Sequence, residues 1–228
     1  MATLSELVAT VAAVEGIEPA TVRLIARNIR EAGLIATGGR GASAATMSPR
    51  DACNLIIAVN ASGVIREAVQ IVRSFRKLEI DEKEDGRPRR NFGGALETLI
   101  EGAINRSLPF YLGVKVPNNI SEAFGNDAIE VEITFRRPKP EAHIFLSGPE
   151  NMGPYINLSA HDPEVLRTVE RFKLALKFEF GLPGEKRQQP MRRYHGDRRD
   201  EVTISYATIR AVGEILRQKE FDSEESGR

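Results

Sequence analysis

Apolar residues recur at helical spacing over the first part of the chain, in two segments separated by a short break. Residues 4–14 carry one apolar face and have Glu6 in the first turn, where a carboxylate suits the helix dipole. Residues 20–32 form a second periodic segment with an apolar stripe at Val22, Ile25, Ala26, Ile29 and Ala32. On its other side, Arg23, Arg27 and Arg30 follow one another at spacings of four and three residues. The pattern predicts two amphipathic helices.

The residues around the second helix predict its two boundaries. Gly16 suits the left-handed end of the first helix, and Pro19 suits the first turn of the second, so a tight turn joins the two. Gly33 ends the second helix, Leu34 and Ile35 are expected to form a short apolar strand, and residues 37–45 are a glycine-rich loop. Three guanidinium groups on one helix face can lie along phosphates or reach guanine edges in a major groove. An ordinary solvated helix face is the alternative interpretation.

Residues 21–35, with the sequence TVRLIARNIREAGLI, are similar to the recognition helix and wing entry of winged helix-turn-helix transcription regulators. The order Gly-Leu-Ile, Thr-Gly-Gly-Arg-Gly and Met-Ser-Pro-Arg-Asp-Ala also resembles prophage-type proteins of bacteria. The resemblance implies that Thr21, Arg23, Arg27 and Arg30 contact the groove and phosphates. Independently of the resemblance, Asn28 on the same helix offers a further hydrogen-bond donor and acceptor. It also implies that Arg40, between two glycines, is the wing tip.

Further along the chain, the pattern predicts more helices and then changes period. Ser48 and Pro49 start a helix to about residue 59, a second runs from Val64 to about Leu78, and a third covers residues 95–104. Residues 129–135 alternate apolar and polar, and 143–146 read as the returning strand of a hairpin. A third strand is possible at 155–158, a helix starts near 162, and residues 172–180 fit either a helix or a strand. A basic loop at 183–201 and a last helix from Ser205 complete the pattern.

These elements predict an α+β fold with four parts. Residues 1–80 form a winged helix-turn-helix domain, 81–91 a polar linker, 92–220 a mixed α+β domain with an antiparallel β-hairpin for oligomerisation or partner binding, and 221–228 a disordered tail.

Composition limits the classes of function. Lys plus Arg equals Asp plus Glu at 32 each, so no global basic field indicates nucleic acid, and any DNA-binding surface is a local patch. The single cysteine, Cys53, lies in an apolar run and is interpreted as a buried structural thiol. No signal-type segment and no long apolar run occur, which predicts a cytoplasmic protein with no membrane contact.

The sequence contains no recognisable catalytic or cofactor motif. His143, His161 and His195 are far apart, no cysteine pair exists, and the glycine loop lacks the Gly-Lys-Ser/Thr of a nucleotide-binding loop. We therefore expect no enzyme activity, no metal and no cofactor.

The leading hypothesis is a sequence-specific, double-stranded DNA-binding transcriptional regulator of phage or prophage origin that acts as a homodimer. A phage DNA-packaging or assembly factor, using the same helix-turn-helix in a ring, is the second hypothesis. The third is a protein-interaction module without DNA binding, which the neutral net charge keeps open.

Overall fold

A computed structural model describes residues 2–39, 44–80, 91–108, 129–147, 175–182 and 200–225. Its helices are α1 Leu4–Glu15, α2 Pro19–Glu31, α3 Pro49–Ala61, α4 Ala68–Arg76, α5 Phe92–Ile104 and α6 Tyr206–Glu225, with a 3₁₀ turn at Ile65–Glu67. The strands are β1 Glu79–Ile80, β2 Glu130–Arg137, β3 Glu141–Ser147, β4 Ala175–Gly181 and β5 Asp200–Ser205. The mixed helix and sheet content expected from the sequence is confirmed.

The first two helices begin and end where the sequence predicts. Thr3 and Glu6 form a reciprocal capping box at the start of α1, with each side chain bonded to the other residue's backbone N–H. Gly16 ends α1 at a φ of 66°, a left-handed conformation that glycine adopts without strain. Pro19 then occupies the first turn of α2, where its missing N–H costs no hydrogen bond.

The strand expected at Leu34 and Ile35 is wrong. Gly33 has a φ of 73°, its N–H bonds to the Arg30 carbonyl at 2.9 Å, and the Leu34 N–H bonds to the Ile29 carbonyl at 2.9 Å. These two bonds form a Schellman motif, so the backbone groups of Gly33 and Leu34 close the end of α2 rather than pairing with a strand. The winged form of the helix-turn-helix is therefore not confirmed.

Helix α3 is the central helix of the molecule. Ser48 caps it and Asp51 completes the predicted capping box. All residues from Asp51 to Ala58 are buried, because α2, α4 and α5 pack around α3 and the sheet lies against it. Cys53 is fully buried there, as predicted, and burial raises the pKa of its thiol to about 12.

The sheet has five antiparallel strands in the order β1-β4-β3-β2-β5. The predicted hairpin is confirmed: β2 pairs with β3 from Glu130 opposite Ser147 to Arg136 opposite Glu141. Residues 175–181, for which helix and strand were both open, form β4. The third strand at 155–158, the helix from 162 and most of the basic loop lie outside the described residues.

One face of the sheet packs against the helices. Val131, Ile133 and Phe135 of β2 point into a hydrophobic core that also contains Ile144 of β3 and Ile204 of β5. Four phenylalanine rings meet at its centre with centroid separations of 5.3 to 6.4 Å, namely Phe75, Phe92, Phe135 and Phe180. Buried residues of the predicted domains 1–80 and 92–220 belong to this one core. The domain boundaries at 80 and 92 stay predictions.

Helix α6 connects the end of the chain to its beginning. It packs on α5 and on α1, and Gly213 allows the close approach to α5, because a Cβ there would lie 2.7 Å from the Ala103 Cβ. The helix runs to Glu225 and so extends into residues 221–228, which the sequence predicts as a disordered tail. The last residues of the helix include Gln218, Lys219 and three glutamates, which favour helix.

A polar network crosses the interface between α3, α4 and α5. Arg76 forms a salt bridge with Glu97 at 2.6 Å, and both side chains are largely shielded, with 18% and 25% exposed. The same guanidinium donates to the Asn54 Oδ1 at 2.9 Å, and the Asn54 amide donates to the Leu34 carbonyl. The network therefore ties the end of α2 to the helical core.

Candidate nucleic-acid interface on helix α2

Helix α2 has a buried apolar side and an exposed polar side, as the sequence predicts. Val22, Ile25, Ala26 and Ile29 are buried against α1, α3 and α4. Arg23, Arg27 and Arg30 are exposed on the other side, and Thr21 is exposed near the start of the helix. The structure thus brings three of the predicted DNA-binding residues together on one surface, which we call the arginine face.

The helical geometry places Thr21 apart from this face. At about 100° per residue, Arg23 and Arg30 lie within about 20° of each other around the axis, whereas Thr21 lies roughly 160° from Arg23. Arg27 lies between these positions, near the middle of the exposed surface. Thr21 and the pair Arg23 and Arg30 therefore border opposite flanks of the exposed side of α2.

Leu24 is a residue of this surface that the sequence reasoning passed over. Its side chain is 52% exposed, which makes it the most exposed of the large apolar side chains in the described residues. The signal was available, because a leucine that falls outside the apolar stripe of an amphipathic helix has no core position to fill. Leu24 lies about 60° around the helix axis from Arg27, on the side of Thr21.

One carboxylate lies among the three arginines. Glu31 accepts a hydrogen bond from the Arg27 Nε at 2.7 Å, and 67% and 58% of the two side chains remain exposed. This bond, and after it the charge of Arg27, lower the pKa of Glu31. The same bond, and after it the charge of Glu31, raise the pKa of Arg27. Arg30 also lowers the pKa of Glu31 through its charge. Within the described residues, Arg23 has no salt-bridge partner.

Asn28 is placed differently from the other predicted contact residues. Its side chain is only partly exposed, and its Oδ1 atom is buried with no hydrogen-bond partner in the structure. In this position the amide oxygen does not face solvent. Arg40 lies outside the described residues.

The glycine-rich segment starts close to the end of α2. Residues 36–39 are exposed and belong to no helix or strand. The Asp51 carboxylate accepts a hydrogen bond from the Ala36 N–H at 2.9 Å and another from the Ser48 N–H at 2.9 Å. One side chain of α3 therefore holds both ends of the segment that carries Arg40.

An apolar groove borders the arginine face. It has a volume of about 400 Å³ and lies between α1 and the start of α2. Most of its lining residues are small or apolar, including Val8, Ala9, Ala12 and Ile17, and Arg23 also lines it.

Within the described ranges, no group of three or more His, Cys, Asp or Glu side chains is placed to hold a metal ion. The helices of those ranges include none with the length and apolar character needed to cross a membrane. No protein-family model, no curated protein and no solved structure matches this chain.

Proposed function

We propose that the protein binds double-stranded DNA through the arginine face of α2. The observation that carries this proposal is the exposure of Arg23, Arg27 and Arg30 on one side of a helix whose other side is fully packed. A helix with its side chains is about 10 to 12 Å across, which fits the major groove of B-DNA. The rigid packing of α2 on three neighbouring helices supports precise presentation of its arginines.

The three guanidinium groups extend over about 10 Å along the helix, because each residue adds about 1.5 Å. Arginine binds phosphate and the guanine O6 and N7 atoms through two parallel hydrogen bonds, so each side chain can position the helix or read a base. The Arg27–Glu31 pair is a solvent-exposed pair at i, i+4, a class that contributes only a few tenths of a kcal/mol. A DNA phosphate can therefore replace Glu31 at small cost.

The position of the glycine-rich segment also supports DNA binding at the arginine face. It leaves α2 at the Schellman motif and is anchored by Asp51, so it begins beside the last turn of the helix. Arg40 as a second contact to the DNA backbone or minor groove stays a prediction from the sequence. The biological role we propose for this binding is that of a sequence-specific transcriptional regulator of phage or prophage origin.

The proposal is tested by fluorescence anisotropy with labelled duplex DNA, including the DNA upstream of its own gene, at two salt concentrations. Substituting Arg23→Ala or Arg27→Ala should weaken binding by about 1 to 3 kcal/mol. A lost base contact relaxes sequence preference, whereas a lost phosphate contact reduces the salt slope by about 1.

Arg106→Asn is the matched control. Arg106 is exposed beyond the end of α5, and asparagine tolerates its left-handed φ of 50°. This variant loses one positive charge away from α2 and should bind like the unmodified protein. Equal loss in all variants, or no binding of any duplex at low salt, would overturn the proposal.

A further inference from the structure

The sheet has a second face that points away from the helical core. The strand register places Glu130, Glu132 and Thr134 of β2 on this face, next to His143 and Phe145 of β3. Glu132 is exposed, and the side chains of Glu130, Thr134, His143 and Phe145 are partly exposed. We call this the outer sheet face. It is a mixed polar and apolar surface on an element whose opposite face is completely buried.

The charges of the outer sheet face are only partly compensated. Arg136 is held by Glu201 of β5, and Glu141 is held by Lys139 at 3.3 Å. Glu130 and Glu132 form no salt bridge within the described part of the chain. These two carboxylates lie at the start of β2, and Phe145 lies next to Glu132 on β3, with Lys177 of β4 next in the register.

We infer that this face binds the arginine face of α2 in a second copy of the chain. Residues two apart on a strand are separated by about 7 Å, which places Glu130 and Glu132 at nearly the spacing of Arg23 and Arg27, about 6 Å along the helix axis. Leu24 follows Arg27 by about 60° around the axis, so it lies beside the two arginines as Phe145 lies beside the two glutamates, and these apolar side chains meet in this arrangement. The contact thus pairs two cations with two anions next to one apolar contact, as interfaces with charge complementarity do.

The arginine face and the outer sheet face both point away from the core, and helix α3, which contacts α2 as well as β2 and β5, lies between these elements. The two faces of one copy therefore cannot contact each other. Two copies joined by this contact are related head to tail. Such a contact continues to a ring or an open chain, in contrast to the two-fold homodimer expected of a palindrome reader.

The self-association does not depend on DNA binding, whereas its competition with DNA rests on the proposed function, because both use the same arginines. Phosphates of DNA compete with Glu130 and Glu132 of the second copy for Arg23 and Arg27. Self-association and DNA binding are therefore mutually exclusive at any one α2 helix, and duplex DNA dissociates the assembly.

The test is sedimentation velocity of the full chain without DNA, at about 50 mM and about 500 mM salt, since salt screens charge pairs of this kind. The unmodified protein should sediment above its monomer mass of 25.2 kDa at low salt and return to it at high salt. The double variants R23E/R27E and E130K/E132K should each be monomeric at both concentrations. An equimolar mixture of the two variants retains one intact arginine face and one intact outer sheet face, and should form a one-to-one complex.

Far-ultraviolet circular dichroism shows whether each variant is folded. If a charge-reversal variant is unfolded, the neutral variants R23Q/R27Q and E130Q/E132Q are used instead. A monomer at low salt in the unmodified protein, or a mixture without the one-to-one complex, would overturn the inference. The variant E130K/E132K keeps its DNA affinity if the proposed function holds. A variant that loses self-association but keeps DNA binding, or loses DNA binding but keeps self-association, distinguishes this inference from the proposed function.

Discussion

The carboxylate of Asp51 binds the backbone N–H of Ala36, which lies 15 residues earlier in the chain, at 2.9 Å. Its second oxygen accepts from the Ser48 N–H at 2.9 Å and from the Ser48 hydroxyl at 2.6 Å. One buried carboxylate therefore caps α3 and closes the segment between α2 and α3. This arrangement connects a local helix-start signal in the sequence to the anchoring of the loop beside the candidate interface.

Substitution of Asp51→Ala should lower the free energy of unfolding by about 2 to 3 kcal/mol. The variant loses the helix cap and leaves the N–H groups of Ala36 and Ser48 without their acceptor in a partly buried position. Urea unfolding followed by circular dichroism measures the change. The adjacent Arg50→Ala is the control, since Arg50 is exposed and should change stability by less than about 0.5 kcal/mol. Equal stability of the two variants would contradict the role given to Asp51.

Sequence periodicity was sufficient to predict those helices and strands that have one continuous apolar face. The stripe of α2 and the box formed by Ser48 and Asp51 predicted two helices and their starts, because caps and amphipathic faces depend on residues a few positions apart. Alternation along β2 likewise predicted a half-buried strand. For the candidate site, the same periodicity predicted the exposure of Arg23, Arg27 and Arg30.

Features that depend on distant partners were not predictable in this way. The apolar pair Leu34 and Ile35 resembles a strand in sequence, but the backbone bonds of Gly33 and Leu34 to α2 decide its conformation. The salt bridge of Arg76 with Glu97 joins residues 21 positions apart on different helices, so no local period indicates it. Strand β1 has only two residues, too few for any alternation to show.

Glu15 should make the stability of the protein depend on pH near neutrality. Burial raises the pKa of its carboxyl to about 7 from an ordinary value of 4.5, while a hydrogen bond from the Asn60 amide lowers it. Because the folded-state pKa is higher than the unfolded one, the protonated form stabilises the fold. This stabilisation is complete below pH 4.5 and is lost as pH rises through 7.

The variant Glu15→Gln keeps a neutral acceptor for Asn60 at every pH. It should match the unmodified protein at acidic pH and exceed its free energy of unfolding above neutrality by up to about 3 kcal/mol. Urea unfolding at about pH 5 and about pH 8.5 measures both values. Glu31→Gln is the control, because the pKa of exposed Glu31 is lowered and its removal gives no gain at high pH. A constant difference between E15Q and the unmodified protein across this range would contradict the prediction.

Replacement of Gly213 by alanine should destabilise the protein, although Gly→Ala in a helix usually stabilises. In an exposed helix interior, Gly→Ala stabilises by up to about 1 kcal/mol, because alanine restricts the unfolded backbone and favours helix. At Gly213 an added Cβ would lie 2.7 Å from the Ala103 Cβ and 2.9 Å from the Ala103 carbonyl carbon, so α5 and α6 must separate. We expect Gly213→Ala to lower the free energy of unfolding by about 1 to 3 kcal/mol.

Thermal and urea unfolding of Gly213→Ala, alone and combined with Ala103→Gly, measure this effect. The second substitution removes one of the clashing atoms but leaves the α5 backbone close to the new Cβ, so the combined variant should recover part of the loss beyond what Ala103→Gly costs by itself. Additive effects would show that the two positions do not touch. A rise in stability for Gly213→Ala alone would show that α6 packs less closely on α5 than described, and with it that the end of the chain is less firmly joined to the core that supports α1 and α2.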